Sequence, residues 1–342
     1  MISHKLVLGD FLRASLYFGR LTAVSYSGEI YRYGVPSLSS HRDPARRGRV
    51  VIQEHDDPEE LAVEGRTRLR PPSTSEVLAI HSYDGATYLA MSDGLWALPE
   101  RPEGAYTDQG EYRRLVNRPA LDVDMTFGVA AVAHGDGMSV IPVHSRWLDE
   151  AGMRPARAEN STAIQSLLWT HHDIVGRTAP FEFALIPARF DLMSQGQLRH
   201  YVFQGLAVTS SFDAVGRSSA VSAVSRRSFA IWNSDTNTST LVSKPKPGWS
   251  IEAFDQLVAA QGVPDEGMRC SIDGRVISIH EWGEYLLCEM SDRLVMVDRF
   301  GSASVLLAQP ATDVRVYPLS RRYRGIVTAV SEAGVHVFVL NA

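Results

Sequence analysis

Apolar and polar residues alternate along most of this chain in runs of five or six, and the runs come in pairs separated by two or three turn-forming residues. A period of two sets one side of a run against a core and the other toward water, so each run predicts a β-strand and each pair a β-hairpin. Residues 21–25 turn at Tyr26, Ser27 and Gly28 into residues 30–33, and residues 88–92 turn at Asp93 and Gly94 into residues 95–98. Further hairpins centre on Asp136, on Arg226 and Arg227, on Asp292 and on Ala333, with a weaker copy over residues 167–186.

These turns fall near residues 27, 93, 136, 176, 227, 292 and 333, so the spacing runs from 40 to 66. The shorter intervals match a unit of four antiparallel strands, and the two longest imply insertions. The strongest internal match supports four strands per unit. Val77 to His81, Met91 to Asp93 and Leu95 recur without a gap, 199 residues later, as Val276 to His280, Met290 to Asp292 and Leu294. Each copy continues into another apolar stretch, residues 112–116 in one and 304–308 in the other. The last unit offers only three strands, 314–317, 325–330 and 335–340, and residues 3–8 supply a fourth. The expected organisation is one domain over residues 1–342, with residues 1–9 closing the last unit and insertions at 36–76 and 243–275. Asp57 as a cap, Pro58 at a first helical position and Glu59 and Glu60 in a first turn predict a short helix in the first insertion. Ser250 followed by apolar Ile251, Phe254, Leu257 and Val258 at helical spacing predicts another in the second.

Seven such units across nearly the whole chain resemble the β-propeller superfamily of the seven-bladed, WD40-like kind. The resemblance implies an all-β fold of seven four-stranded antiparallel blades, here with short helical insertions. It is a resemblance of architecture: the Gly-His and Trp-Asp pairs of WD40 blades are missing, and Ser82 to Tyr88 is one residue short of the sialidase Asp-box.

Composition narrows the function. With 34 basic against 39 acidic residues and a net charge of −5, the chain has no concentration of positive charge suited to a nucleic-acid backbone. No run of about 18 apolar residues suits a membrane span, and residues 1–10 do not suit a signal peptide. Cys270 and Cys288 are too few and too far apart for a disulfide framework or a Cys-x-x-Cys motif, so a cytoplasmic setting is expected.

Motifs for a P-loop, a dinucleotide turn, a zinc protease or a nucleophile elbow are absent, and no cofactor or metal is expected. His171, His172 and Asp173 carry ligand chemistry, yet neighbouring strand residues point to opposite faces. His81 and His280 are channel candidates at equivalent places on two inner strands. Asp93, Asp136 and Asp292 occupy hairpin turns, where Asp is favoured by its own turn chemistry. The acidic run at 54–57 and Arg66, Arg68 and Arg70 read as a self-neutralising surface loop. Both insertions are expected between a fourth strand and the next inner strand, on the side of those Asp turns. That placement makes Asp93, Asp136, Asp292, Glu59, Glu60, Asp255 and Gln256 the candidate binding face. The function expected is non-catalytic: a monomeric domain in a larger complex, presenting one face to protein partners. The alternative is a hydrolase or lyase acting on a small or sugar-like substrate at the channel mouth.

Overall fold

The computed structural model describes the chain except for residues 1, 18, 36–58, 62–63, 84, 100–111, 127, 144–155, 158–162, 170–172, 180–181, 193–197, 204–206, 210–218, 244–267, 319, 321 and 341–342. Among the described residues thirty strands assemble into seven sheets, the blades of an all-β, seven-bladed propeller, each built on four antiparallel strands. The chain divides into two compact units, residues 1–74, 237–241 and 268–342 in the first and residues 75–236 and 242–267 in the second.

The first unit holds three whole blades. Blade 1 runs Phe11–Tyr17, Arg20–Ser25, Ile30–Gly34, Glu64–Leu69 from inner to outer strand. Blade 6 runs Val276–Trp282, Tyr285–Met290, Leu294–Val297, Ala303–Leu307. Blade 7 runs Asp313–Val316, Ile326–Ser331, Gly334–Leu340, and its fourth strand is Ile2–Leu8, antiparallel to the third from Ile2 opposite Leu340 to Leu8 opposite Gly334. Gly334 has φ of +139°, and a Cβ there would stand 2.2 Å from the Val7 carbonyl oxygen. Only glycine lets the first strand come that close.

The second unit holds blades 2, 3 and 4. Blade 2 is Val77–Tyr83, Ala86–Met91, Gly94–Pro99, Arg113–Val116, and blade 3 is Asp122–Thr126, Val129–His134, Gly137–Pro142, Ala156–Arg157. Blade 4 is Ser166–Trp169, Asp173–Ala179, Glu182–Leu192, with Leu198–Phe203 and Ala207–Thr209 both pairing to its long third strand. Blade 5, Ser219–Val224, Ser228–Asn233, Thr238–Ser243, Met268–Asp273, is divided between the units.

Because side chains alternate across each sheet, a blade can present two apolar faces, and within each unit the cores lie between consecutive blades. Leu16, Leu21 and Tyr33 of blade 1 bury against Val330, Val335 and Val337 of blade 7. The opposite face of blade 7, through Val314, Val327 and Phe338, packs on Trp282, Leu287 and Leu294 of blade 6. In the second unit Tyr88, Ala90 and Leu95 meet Val123, Ala130 and Val132, and Val129 and Met138 meet Leu167 and Trp169.

Three expectations are corrected. The hairpin turn placed near residue 176 is in fact mid-strand: Gly176 pairs with Ala184, and a Cβ there would lie 3.2 Å from Ile164. Glycine at this point makes room for a neighbour and does not mark a turn. No helix forms among the described residues of the first insertion. Glu59–Glu60 is instead a short strand, parallel to Ile2–Leu8 with Lys5 opposite Glu59 and Leu6 opposite Glu60. The Leu61 N–H continues this pairing to the Leu6 carbonyl at 2.8 Å, and its side chain is buried with Val7 and Phe11. Pairing with an open sheet edge and burial of Leu61 outweigh a weak local helix preference. The second predicted helix lies outside the described residues.

The third correction concerns the insertions. Glu64–Leu69 and Met268–Asp273 are the fourth strands of blades 1 and 5, so both insertions join a third strand to a fourth within one blade. In an antiparallel blade the third-to-fourth connection leaves from the end opposite the second-to-third turn. Glu59 and Glu60 therefore belong to a connection at the other end of the blade from turns such as those of Asp93, Asp136 and Asp292. Asp255 and Gln256 lie outside the described residues, in the corresponding connection of blade 5.

Removing residues 1–9 would strip the outer edge of Gly334–Leu340 and uncover Leu61. We expect the truncated protein to melt about 10 °C or more lower and to aggregate. Thermal melts and size-exclusion profiles beside the full chain check this, and an unchanged midpoint would refute it.

Candidate functional site

The outward N–H groups of an inner strand have no partner in their own sheet, and leaving them unpaired is costly. Blade 3 supplies acceptors to blade 4. Asp122 Oδ2 accepts from the Leu167 N–H at 2.9 Å, and Asp124 Oδ2 accepts from the Trp169 N–H at 2.8 Å. Each carboxylate uses its other oxygen on the following residue of its own strand, Val123 and Met125, both at 2.8 Å. Blade 7 serves blade 1 in the same way: Asp313 Oδ2 accepts from the Ala14 N–H at 3.1 Å, and the Tyr317 hydroxyl accepts from the Leu16 N–H at 3.0 Å. Between blades 3 and 4, spacing by two along both strands lets alternate side chains meet alternate amides, whereas in blade 7 the second acceptor, Tyr317, stands four residues after Asp313, just past the strand end. Burial drives the Tyr317 hydroxyl far above its ordinary pKa, which keeps it neutral.

A second constellation recurs where the second strand meets the third. In blade 3 the second strand ends on His134 and the third carries Ser139, with His134 Nε2 2.9 Å from Ser139 Oγ. In blade 7 the residue types are exchanged: the second strand ends on Ser331 and the third carries His336, 2.7 Å apart. His134 Nδ1 donates to the Pro119 carbonyl at 2.5 Å, so Nε2 accepts from Ser139. His336 Nε2 accepts from Ser331 and from Gln309 Nε2 at 3.1 Å, so its Nδ1–H donates to His4 Nε2 at 2.9 Å. His4 also stacks on Phe338 at 4.4 Å between centroids. The connection arriving from the preceding blade is thus tied to each hairpin. Burial, then the neighbouring His4, lowers His336 to about 4; burial likewise lowers His4 and His134.

The sequence candidates are placed as follows. Asp93 accepts from Trp96 Nε1 at 3.2 Å, and its carbonyl accepts from the Arg114 guanidinium. Asp136 accepts from Arg118 at 3.2 Å, and Arg118 also donates to Ser139 at 2.9 Å. Asp292 pairs with Arg293 at 3.0 Å, and Arg293 donates to the Asp273 carbonyl at 2.7 Å. All three turns are held by side chains of nearby strands and connections.

His280 approaches Glu289 Oε2 at 3.4 Å and Ser278 Oγ at 3.3 Å. His81 stands opposite Tyr88, and the position equivalent to Glu289 is Ala90, so the repeat does not carry the acidic partner over. The two His belong to different units. His171 and His172 lie outside the described residues. Among the described residues no three His, Cys, Asp or Glu side chains gather as metal ligands. Both cysteines are free thiols; burial and then Asp298 push Cys270 up to about 11, and burial pushes Cys288 higher still.

The inner-strand acceptors were invisible as such in the sequence. Asp122 and Asp124 sit 45 residues from the amides they serve. The one available signal was a pair of Asp residues alternating with the apolar Val123 and Met125.

Because Asp124 uses both oxygens, replacing it by Asn retains one acceptor and turns an amide NH₂ toward the other N–H. We expect D124N to lose nearly as much stability as D124A, about 1–3 kcal/mol in each case, by denaturant unfolding. Full rescue by Asn would show that a single acceptor suffices. For His336, a folded pKa below the unfolded value near 6.5 means that unfolding takes up protons. Its contribution is fully present above about pH 6.5 and is lost as the pH falls toward 4. His336→Asn should therefore flatten the decline in melting temperature between pH 7.5 and 4.5; a slope equal to that of the parent protein would contradict it.

No protein-family model and no curated protein matches the chain. Solved structures do. It is similar to the WD40 domain of Pan2 from Neurospora crassa, with a TM-score of 0.55, 9% identity and coverage of 99% of this chain and 95% of that one. It is also similar to Raptor from Chaetomium thermophilum, at TM-score 0.56, 10% identity, 99% and 29% coverage. The β-propeller domain of Cps50 (Swd1) from Myceliophteria thermophila follows at TM-score 0.51, 10% identity and 100% coverage of both chains. At such low identity what is shared is the fold: this chain is a seven-bladed β-propeller of WD40-like architecture.

Proposed function

We propose that the chain is a non-catalytic docking scaffold that binds protein partners as a monomeric domain of a larger complex. The observation that carries this reading is the outer part of blade 6. Asp298 Oδ1 accepts from the N–H groups of Phe300 and Ser302, at 2.8 and 2.9 Å, and Gly301 closes the turn with φ of +84°. This holds Phe300 outward at 72% exposure. Arg299 lies 4.6 Å over its ring and pairs with Glu284 at 3.5 Å. On the adjoining outer strand Val305 is 50% exposed, and Ala303–Leu307 carries no charged side chain. A rigid aromatic beside an arginine is the composition of a binding hot spot, and its ordering cost is already met by the turn.

The polar groups inside the blades support the same reading, since the Asp and His side chains described above are occupied in holding strands and turns. The fold is shared with domains solved within larger proteins and assemblies, Raptor and the mitotic checkpoint complex among them. Two free thiols, one of them buried, support a reducing compartment such as the cytoplasm.

Cross-linking of the tagged chain in extracts of its host, with quantitative identification of the captured proteins, tests the proposal. We expect a small set of partners whose recovery falls several-fold for Phe300→Ala and Val305→Lys at unchanged melting temperature. Recovery indifferent to both variants would overturn it.

A further inference from the structure

The outer strand of blade 1, Glu64–Leu69, hydrogen-bonds inward to Ile30–Gly34, and among the described residues no strand lies on its other side. Arg66, Arg68 and Arg70 are all exposed and stand at alternate positions, so they share one face. Arg66 and Arg68 lie in a paired strand and not in a loop, while the acidic run 54–57 lies outside the described residues. Tyr31, opposite Arg68 in the ladder, donates its hydroxyl to Glu29, and Glu29 pairs with Arg68. The Arg66 guanidinium lies 4.1 Å over the Tyr31 ring. Among the described residues neither Arg66 nor Arg70 has a carboxylate partner. Among the described side chains of this face, three guanidinium groups stand against the single carboxylate of Glu29, a local excess of positive charge on a chain whose net charge is −5.

We propose that this edge takes an extended acidic segment of a partner protein as an added β-strand, with its alternate carboxylates on Arg66, Arg68 and Arg70. Open N–H and C=O groups along the edge give the main-chain ladder of strand addition, and side chains at alternate positions give the selectivity. Guanidinium groups suit this because each can hold a carboxylate through two parallel hydrogen bonds. The same charges oppose pairing of this edge with its counterpart in a second copy, where arginine would face arginine. The inference rests on the reading of the chain as a protein scaffold but concerns a surface separate from Phe300, so the two fail independently.

The test uses the full chain and fluorescence anisotropy with a labelled peptide of alternating Glu and Thr. The controls are an isomer with its Glu residues clustered at one end and a single-stranded oligonucleotide. We expect the alternating peptide to bind, more weakly as salt rises, and the clustered isomer to bind roughly tenfold more weakly. The double variant Arg66→Glu with Arg70→Glu should abolish binding at an unchanged melting temperature. If that variant unfolds, Arg66→Gln with Arg70→Gln, which removes charge without reversing it, should still weaken binding roughly tenfold. The proposal is overturned by no binding of the alternating peptide, by equal binding of the clustered isomer, by tighter binding of the oligonucleotide, or by a folded double variant that binds as before. Phe300-dependent capture of partners beside any of these results would leave the scaffold reading standing.

Discussion

An inner strand exposes a row of backbone amides that its own sheet cannot satisfy, and this constraint shapes much of what the blades do with their polar side chains. Asp122 and Asp124 serve the amides of Leu167 and Trp169, while Asp313 and Tyr317 serve those of Ala14 and Leu16. Each acceptor fixes one blade against the next at a chosen register, whereas the apolar contacts between blades are less directional. Tyr323 extends the same arrangement, its hydroxyl accepting from the Gly19 N–H at the turn between the first two strands of blade 1.

The second recurrent device works at the other edge of the problem, where a connection from one blade must be held to the hairpin of the next. His134 with Ser139, and Ser331 with His336, solve it with the same pair of residue types in exchanged positions. What the geometry requires is a hydroxyl across from an imidazole next to the turn, and either strand can supply either group. In blade 7 the arrangement extends through His4 onto the first strand of the chain, so the hairpin and the strand that completes it share one hydrogen-bond chain. On the scaffold reading proposed above, recognition falls to the outer strands and turns. There the two surfaces differ in kind: an aromatic held outward by a capped turn on blade 6, and an arginine-bearing strand edge on blade 1.

The alternation of apolar and polar residues determined where most strands and turns lie, because a period of two is a local property written into neighbouring residues. It also determined that residues 3–8 form a strand apt to complete the last blade, since that blade otherwise ends on an open edge. Glu64–Leu69 escaped this reading, for its alternation is between arginine and neutral residues and resembles a loop. Only pairing with Ile30–Gly34 makes it a strand, and that pairing moved the insertion to the opposite end of the blade. The tertiary structure likewise decided that Glu59 and Glu60 are extended, that Gly176 accommodates Ile164, and that Asp122, Asp124 and Asp313 are acceptors for a neighbouring blade. The physical reason is common to all of these. An unsatisfied edge amide or a close approach of two segments is created by residues 12 to 299 positions apart, and no local pattern records which residue will stand opposite it.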